Sequence, residues 1–164
     1  MPARHILCAK ASGFNVKCFK SMFKIILLPV LATLIAQSLK FVIKSNGLKF
    51  NWQNLLAYSG MPSSHAAIVL SLATIIGLEQ GWSSPLFGFA FIFAFLIIRD
   101  ALGLRQYLGH HGKILNVLIK ELKTDKLLDK SYPKLLERIG HTPKQVLVGG
   151  IIGIVVSMIG YYFL

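Results

Sequence analysis

Four apolar stretches, Phe23–Ile43, Ser64–Gly81, Pro85–Leu104 and Val146–Leu164, leave this 164-residue chain few folds to choose from. Each approaches the roughly 20 residues that a helix needs to cross a bilayer, the second and third near the short limit. None is an uninterrupted apolar run, because polar residues sit near the ends. Hydrophobic residues make up 54% of the chain, too many for an ordinary soluble domain of this size. The pattern predicts an all-α fold. It is an integral membrane bundle of about four transmembrane helices, joined by short amphipathic interfacial helices.

The charge balance narrows the class further. Eighteen Lys and Arg face six Asp and Glu, a formal net charge of +12. In a soluble protein that excess would suggest nucleic acid, but no zinc knuckle or aromatic-basic platform is present. Here the basic residues fall in loops and at helix ends, where they orient the chain, bind anionic headgroups or attract a phosphorylated substrate. Cys8 and Cys18 have no disulfide or metal spacing. Residues 1–21 read as a basic extension, either a juxtamembrane arm or the product of a start placed too early, and residues 22–164 as one domain. No small-residue cleavage site follows Phe23–Ile35, so this segment reads as a retained helix.

Along the chain, Ser45-Asn46-Gly47 ends the first helix, and Leu48–Ser59 reads as an amphipathic link with Trp52 and Tyr58 at the interface. Gly81–Pro85 makes a tight turn into the third helix, which carries Arg99 and Asp100 near its end and Arg105 just beyond it. Gly109–Leu122 reads as an amphipathic helix and Lys134–Ile139 as a short one. Gly140-His141-Thr142-Pro143 reads as a turn before the last helix.

The sharpest local signal is Pro62-Ser63-Ser64-His65 at the mouth of the second helix. A helix start offers unpaired backbone N–H groups and partial positive charge, hence an anion site. The small hydroxyl residues permit close approach, and the histidine adds a group that titrates near neutral pH. The plainer alternative is a serine cap beside an incidental histidine. Up-down-up-down connectivity weighs against it. It brings Lys40, His65, Arg105 and His141 to one membrane face, where costly polar groups usually mark function. That face also carries Lys44, Lys49 and the basic Arg105–Lys144 segment. The excess predicts a cytoplasmic site in a bacterial-type plasma membrane, although the basic extension votes the other way.

Phosphoryl transfer needs cations on the non-bridging oxygens, an in-line nucleophile, an acid for the leaving oxygen and exclusion of water. Lys40 and Arg105 are candidate cations, set against simple headgroup snorkelling. His65 and His141 can divide the acid and nucleophile roles. Asp100 and Glu137 are candidate carboxylates to orient a histidine or an arginine. Glu137 can reach His141 if a helix continues between them; the alternative is a solvated charge.

The runs Gly60–His65, Asp100-Ala101-Leu102-Gly103-Leu104-Arg105, Leu115-Asn116 and Gly140–Pro143 resemble the divergent phosphatidic acid phosphatase type 2 family, related to acid phosphatases and vanadium haloperoxidases. The likeness extends from about Met22 to the C-terminus. It implies a helical membrane phosphatase or phosphotransferase that uses no metal or other cofactor and forms a phosphohistidine intermediate. The substrate is a lipid phosphate or another phosphomonoester. By resemblance His65 is the acid, and Lys40 and Arg105 are the phosphate-binding cations; the helix start adds the amides of Ser63 and Ser64 as candidate phosphate donors. The wider superfamily sets its nucleophile where His111 stands here. The divergent branch keeps the Gly-His-Thr-Pro turn, so His141 is preferred and His111 is the alternative. Ser64 replaces a superfamily glycine. No Arg-Pro pair follows Lys40, and Lys44 is the nearest substitute. These departures keep open a catalytically inactive protein that binds anionic headgroups or phosphate. The implied partners are membrane lipids and the phosphorylated substrate, with no nucleic acid.

Overall fold

The computed structural model describes residues 16–43, 60–124, 135–137 and 139–164. Five helices run through them: α1 (Val16–Val42), α2 (Ser64–Gln80), α3 (Pro85–Leu102), α4 (Leu104–Thr124) and α5 (Pro143–Phe163), with no strand among the described residues. Three helical stretches are long and apolar enough to cross a membrane: Phe19–Val42, Pro85–Leu122 and Pro143–Phe163. The expected second span, α2, is apolar but has only 17 residues. The chain is therefore an all-α membrane bundle with three full-length candidate spans and one shorter apolar helix.

The short helix sits at the centre, against α1, α3 and α5. Ala66, Ala67, Val69, Ala73, Ile75 and Ile76 bury its apolar surface, as expected for a helix apolar all round. The helix α1 meets it along a ridge spaced every fourth residue: Lys24, Leu28, Ala32, Ala36 and Lys40, all buried. Ala32 and Ala36 are small enough for close approach to Ala67. A lysine thus closes the ridge at each end.

Small residues also govern how α5 meets α2. A Cβ on Gly149 would run into the Ser63 carbonyl oxygen, and one on Gly153 into that of Ala67. Further along, the Ser71 and Ser157 hydroxyls lie 2.6 Å apart, and Ser157 Oγ donates to the Ser71 carbonyl at 2.9 Å. Small residues at fourfold spacing are a common way to bring membrane helices into backbone contact. Beyond them, Lys24 Nζ pairs with Glu79 Oε1 at 3.5 Å and donates to the Tyr161 carbonyl at 3.2 Å. The start of α1 therefore meets the ends of α2 and α5, as alternating connectivity requires.

Several boundaries differ from the sequence reading. Helix α1 begins at Val16, inside the expected extension. The amphipathic helix begins at Leu104 instead of Gly109, because Gly103 ends α3 and accepts from the amides of Gln106 and Tyr107, which restarts the helix at once. Gly109 is a packing position: a Cβ there would meet the Glu137 carbonyl oxygen at 2.7 Å. The short helix expected over Lys134–Ile139 is absent; residues 135–137 and 139 are non-helical. Asn116 explains why. Its side chain accepts from the Leu135 amide at 3.0 Å and donates to the Leu135 carbonyl at 2.9 Å, replacing helical partners. The interfacial link Leu48–Ser59 and most of the 1–21 extension lie outside the described residues.

Candidate functional site

Local chemistry starts α2 where the sequence suggested. Ser63 caps the helix, its hydroxyl accepting from the Ala66 amide at 3.3 Å. Its own amide donates to the Gln145 carbonyl at 3.0 Å, so neither group faces an open site. Ser64 and His65 occupy the first turn, where their amides have no intrahelical acceptor. This ties the helix start to α5 and fixes the base of His65.

His141 is held with equal care from its backbone. Its amide donates to the Ala101 carbonyl at 3.1 Å, and its carbonyl accepts from Gln106 Nε2 at 2.6 Å. Gly140 supplies the turn at φ 97°, a conformation that side chains disfavour. A Cβ there would meet the Gln106 amide nitrogen at 2.9 Å. Thr142 then caps α5 in a reciprocal capping box with Gln145.

These anchors bring the His65 and His141 rings to 5.8 Å between centroids, at 55° to one another. Arg105 joins them from the start of α4. Its Nε donates to Asp100 Oδ2 at 2.6 Å and its terminal nitrogen reaches His65 Nε2 at 3.2 Å. Arginine can only donate, so His65 Nε2 accepts and the ring proton lies on Nδ1. His65 Nδ1 and His141 Nε2 are both buried and lack a hydrogen-bond partner among the described residues. Buried polar atoms normally have partners, which makes this pair a notable exception.

Lys40, the last member of the α1 ridge, is 2% exposed and close enough to act electrostatically on both rings. Burial first, and then the Lys40 ammonium, hold the His141 imidazole well below its usual range, at about 4. The nearby His65 and Arg105 add to this, while a hydrogen bond to Gln145 opposes it. A neutral imidazole, two cations and a helix start thus surround buried ring nitrogens. The arrangement suits an anion.

Not every expected residue joins. Asp100 orients Arg105 and pairs with neither histidine. His111 is exposed on α4, about 120° around the helix from Arg105 and about 9 Å further along it. Glu137 does not reach along a helix to His141; its Oε1 accepts from Asn116 at 2.9 Å. With Gln106, Gly109, His110, Lys113 and Ile139 it lines a separate cavity of about 170 Å³. Lys44 lies outside the described residues. Sequence reasoning passed over Gln145 and Gln106, and took Asn116 only as part of a family motif, with no structural role. Only Gln145 had a local signal, its place three residues after Thr142. Among the described residues, no cluster of His, Cys, Asp or Glu suits a metal ion.

Fold and geometry together define a helical membrane protein with a histidine–cation cluster at one end of its bundle. The chain belongs to the divergent PAP2 family, which it matches over residues 22–156. It is also similar to a protein of Bacillus subtilis (strain 168) described as the uncharacterized membrane protein YuiD. The two are 32% identical over 143 residues, covering 82% of this chain and 89% of the relative. No solved structure matches the chain.

Proposed function

We propose that this protein is a membrane phosphatase or phosphotransferase acting on a lipid phosphate or another phosphomonoester, with its site on the cytoplasmic face. The observation that supports the reading best is the pairing of His65 and His141, with buried nitrogens that have no partner among the described residues, beside Lys40 and Arg105. Family membership adds support.

In this reading Lys40 and the Arg105 fork take the phosphoryl oxygens, helped by the Ser64 amide. The Ser63 amide, which was also expected to contribute, is engaged by Gln145. Binding draws Arg105 from His65 Nε2, which then takes up a proton. His141 Nε2 attacks phosphorus, the ester P–O bond breaks, and the His65 imidazolium protonates the departing oxygen. His65, now neutral, accepts a proton from water as that water attacks the phosphohistidine. The N–P bond breaks, releasing phosphate and restoring both rings. Asp100 keeps Arg105 aimed throughout.

The experiment is phosphate release by purified protein in detergent, with phosphatidic acid and polyprenyl phosphates as substrates. Vanadate-sensitive release, abolished by His65→Ala and by His141→Ala, is the expected result. Release that both variants leave unchanged overturns the reading. The second reading, headgroup binding without turnover, is favoured by the absent Arg-Pro pair after Lys40. It predicts retention on anionic vesicles without phosphate release.

A further inference from the structure

We infer that Gln145 is a positioning residue that fixes which nitrogen of His141 is free to react. This rests on the proposed role of His141, but its central observable does not require turnover. Gln145 Oε1 accepts from the Thr142 amide at 3.0 Å. A backbone amide can only donate, so the atom facing it is oxygen and the orientation of the Gln145 amide group is settled. The same oxygen lies 3.3 Å from His141 Nδ1. An oxygen that only accepts requires the proton on Nδ1, which leaves the lone pair on buried Nε2.

Gln145 is itself immobilised from three sides. Its amide donates to Thr142 Oγ1 at 3.4 Å, its carbonyl accepts from the Ser63 amide, and its side chain closes the capping box. The residue therefore links the cap of α2, the cap of α5 and the His141 ring. It serves the histidine as a neutral acceptor. A carboxylate would instead stabilise the imidazolium and remove its lone pair at neutral pH. The charged and titratable groups that act on His141 are Lys40 from α1, His65 from α2 and Arg105 from α4. Both cations favour the neutral ring, so a neutral partner on Nδ1 agrees with the rest of the pocket.

The test is ¹⁵N NMR of histidine-labelled protein in detergent, with His141 assigned by its loss in His141→Asn. At pH 7 the wild type is expected to show His141 neutral with its proton on Nδ1. Gln145→Leu is expected to populate the Nε2–H form. Gln145→Glu preserves the capping box and is expected to keep Nδ1–H while raising the His141 titration by more than one pH unit. It provides the deciding measurement if the leucine variant does not fold. A His141 titration unmoved in Gln145→Glu, or an unchanged tautomer in Gln145→Leu, overturns the inference. If phosphate release is absent from the wild type while these shifts occur, the phosphatase reading fails and the positioning role stands.

Discussion

Asp100 holds Arg105 by Nε, at 2.6 Å, and so leaves the far end of the guanidinium directed at His65. A lysine cannot reproduce this division, because it has one charged nitrogen and no fork. Arg105→Lys is therefore expected to lower kcat/KM for phosphate release by about 100-fold, the scale of losing one donor to a developing charge. Asp100→Asn keeps an acceptor for Nε and is expected to lose less. Equal losses would show that Asp100 does more than aim Arg105.

The choice between His141 and His111 can be read from the intermediate. Brief reaction with ³²P-labelled substrate followed by alkaline quenching should trap an acid-labile, base-stable phosphohistidine. The label is expected to persist in His111→Ala, whose side chain is exposed on α4, and to vanish in His141→Ala. The reverse pattern would assign the nucleophile to His111.

Burial of a neutral His141 makes stability depend on pH. The unfolded ring takes a proton near its ordinary value of 6.5, while the folded one resists until about 4. Between these values the unfolded state binds more protons, so the contribution is complete above 6.5 and is lost as pH falls towards 4. The shift corresponds to about 3 kcal/mol. Thermal unfolding in detergent should therefore show Tm falling over this range, with a shallower fall in His141→Asn. Parallel slopes would contradict the assignment.

Enlarging the contact face of α5 should part it from α2. Gly153→Val places branched carbons where the Ala67 carbonyl and the Ser71 amide now lie. Destabilisation on the order of 1–3 kcal/mol is expected, as for overpacked cores. A valine at Gly88, where a Cβ meets nothing within 4 Å, is the control and should change Tm little. Similar melting of both variants would argue against close packing at Gly153.

What could be read from the sequence followed the range of the forces involved. The start of α2 was legible because Ser63 and Pro62 act within one turn. The gathering of Lys40, His65, Arg105 and His141 followed from counting helix directions. Residues 135–137 were misread because their partner, Asn116, lies in another element and offers side-chain atoms in place of a helical ladder. The restart at Leu104 was missed because Gly103 both ends one helix and begins the next. The tie between Ser63 and Gln145 joins two main chains, and no residue type announces such a bond.

The glycine face of α5 has a consequence for how the pocket can adapt. With Gly149 against the Ser63 carbonyl, the two histidines ride on what is effectively a single rigid plate. The cations reach in on longer tethers. The Arg105 backbone shares part of that frame, since its neighbour Gln106 holds the His141 carbonyl, but its guanidinium and the Lys40 ammonium sit at the ends of long side chains. If the proposed reaction holds, accommodation of differently sized phosphate esters falls to those two side chains, while the spacing between the rings behaves as a fixed gauge.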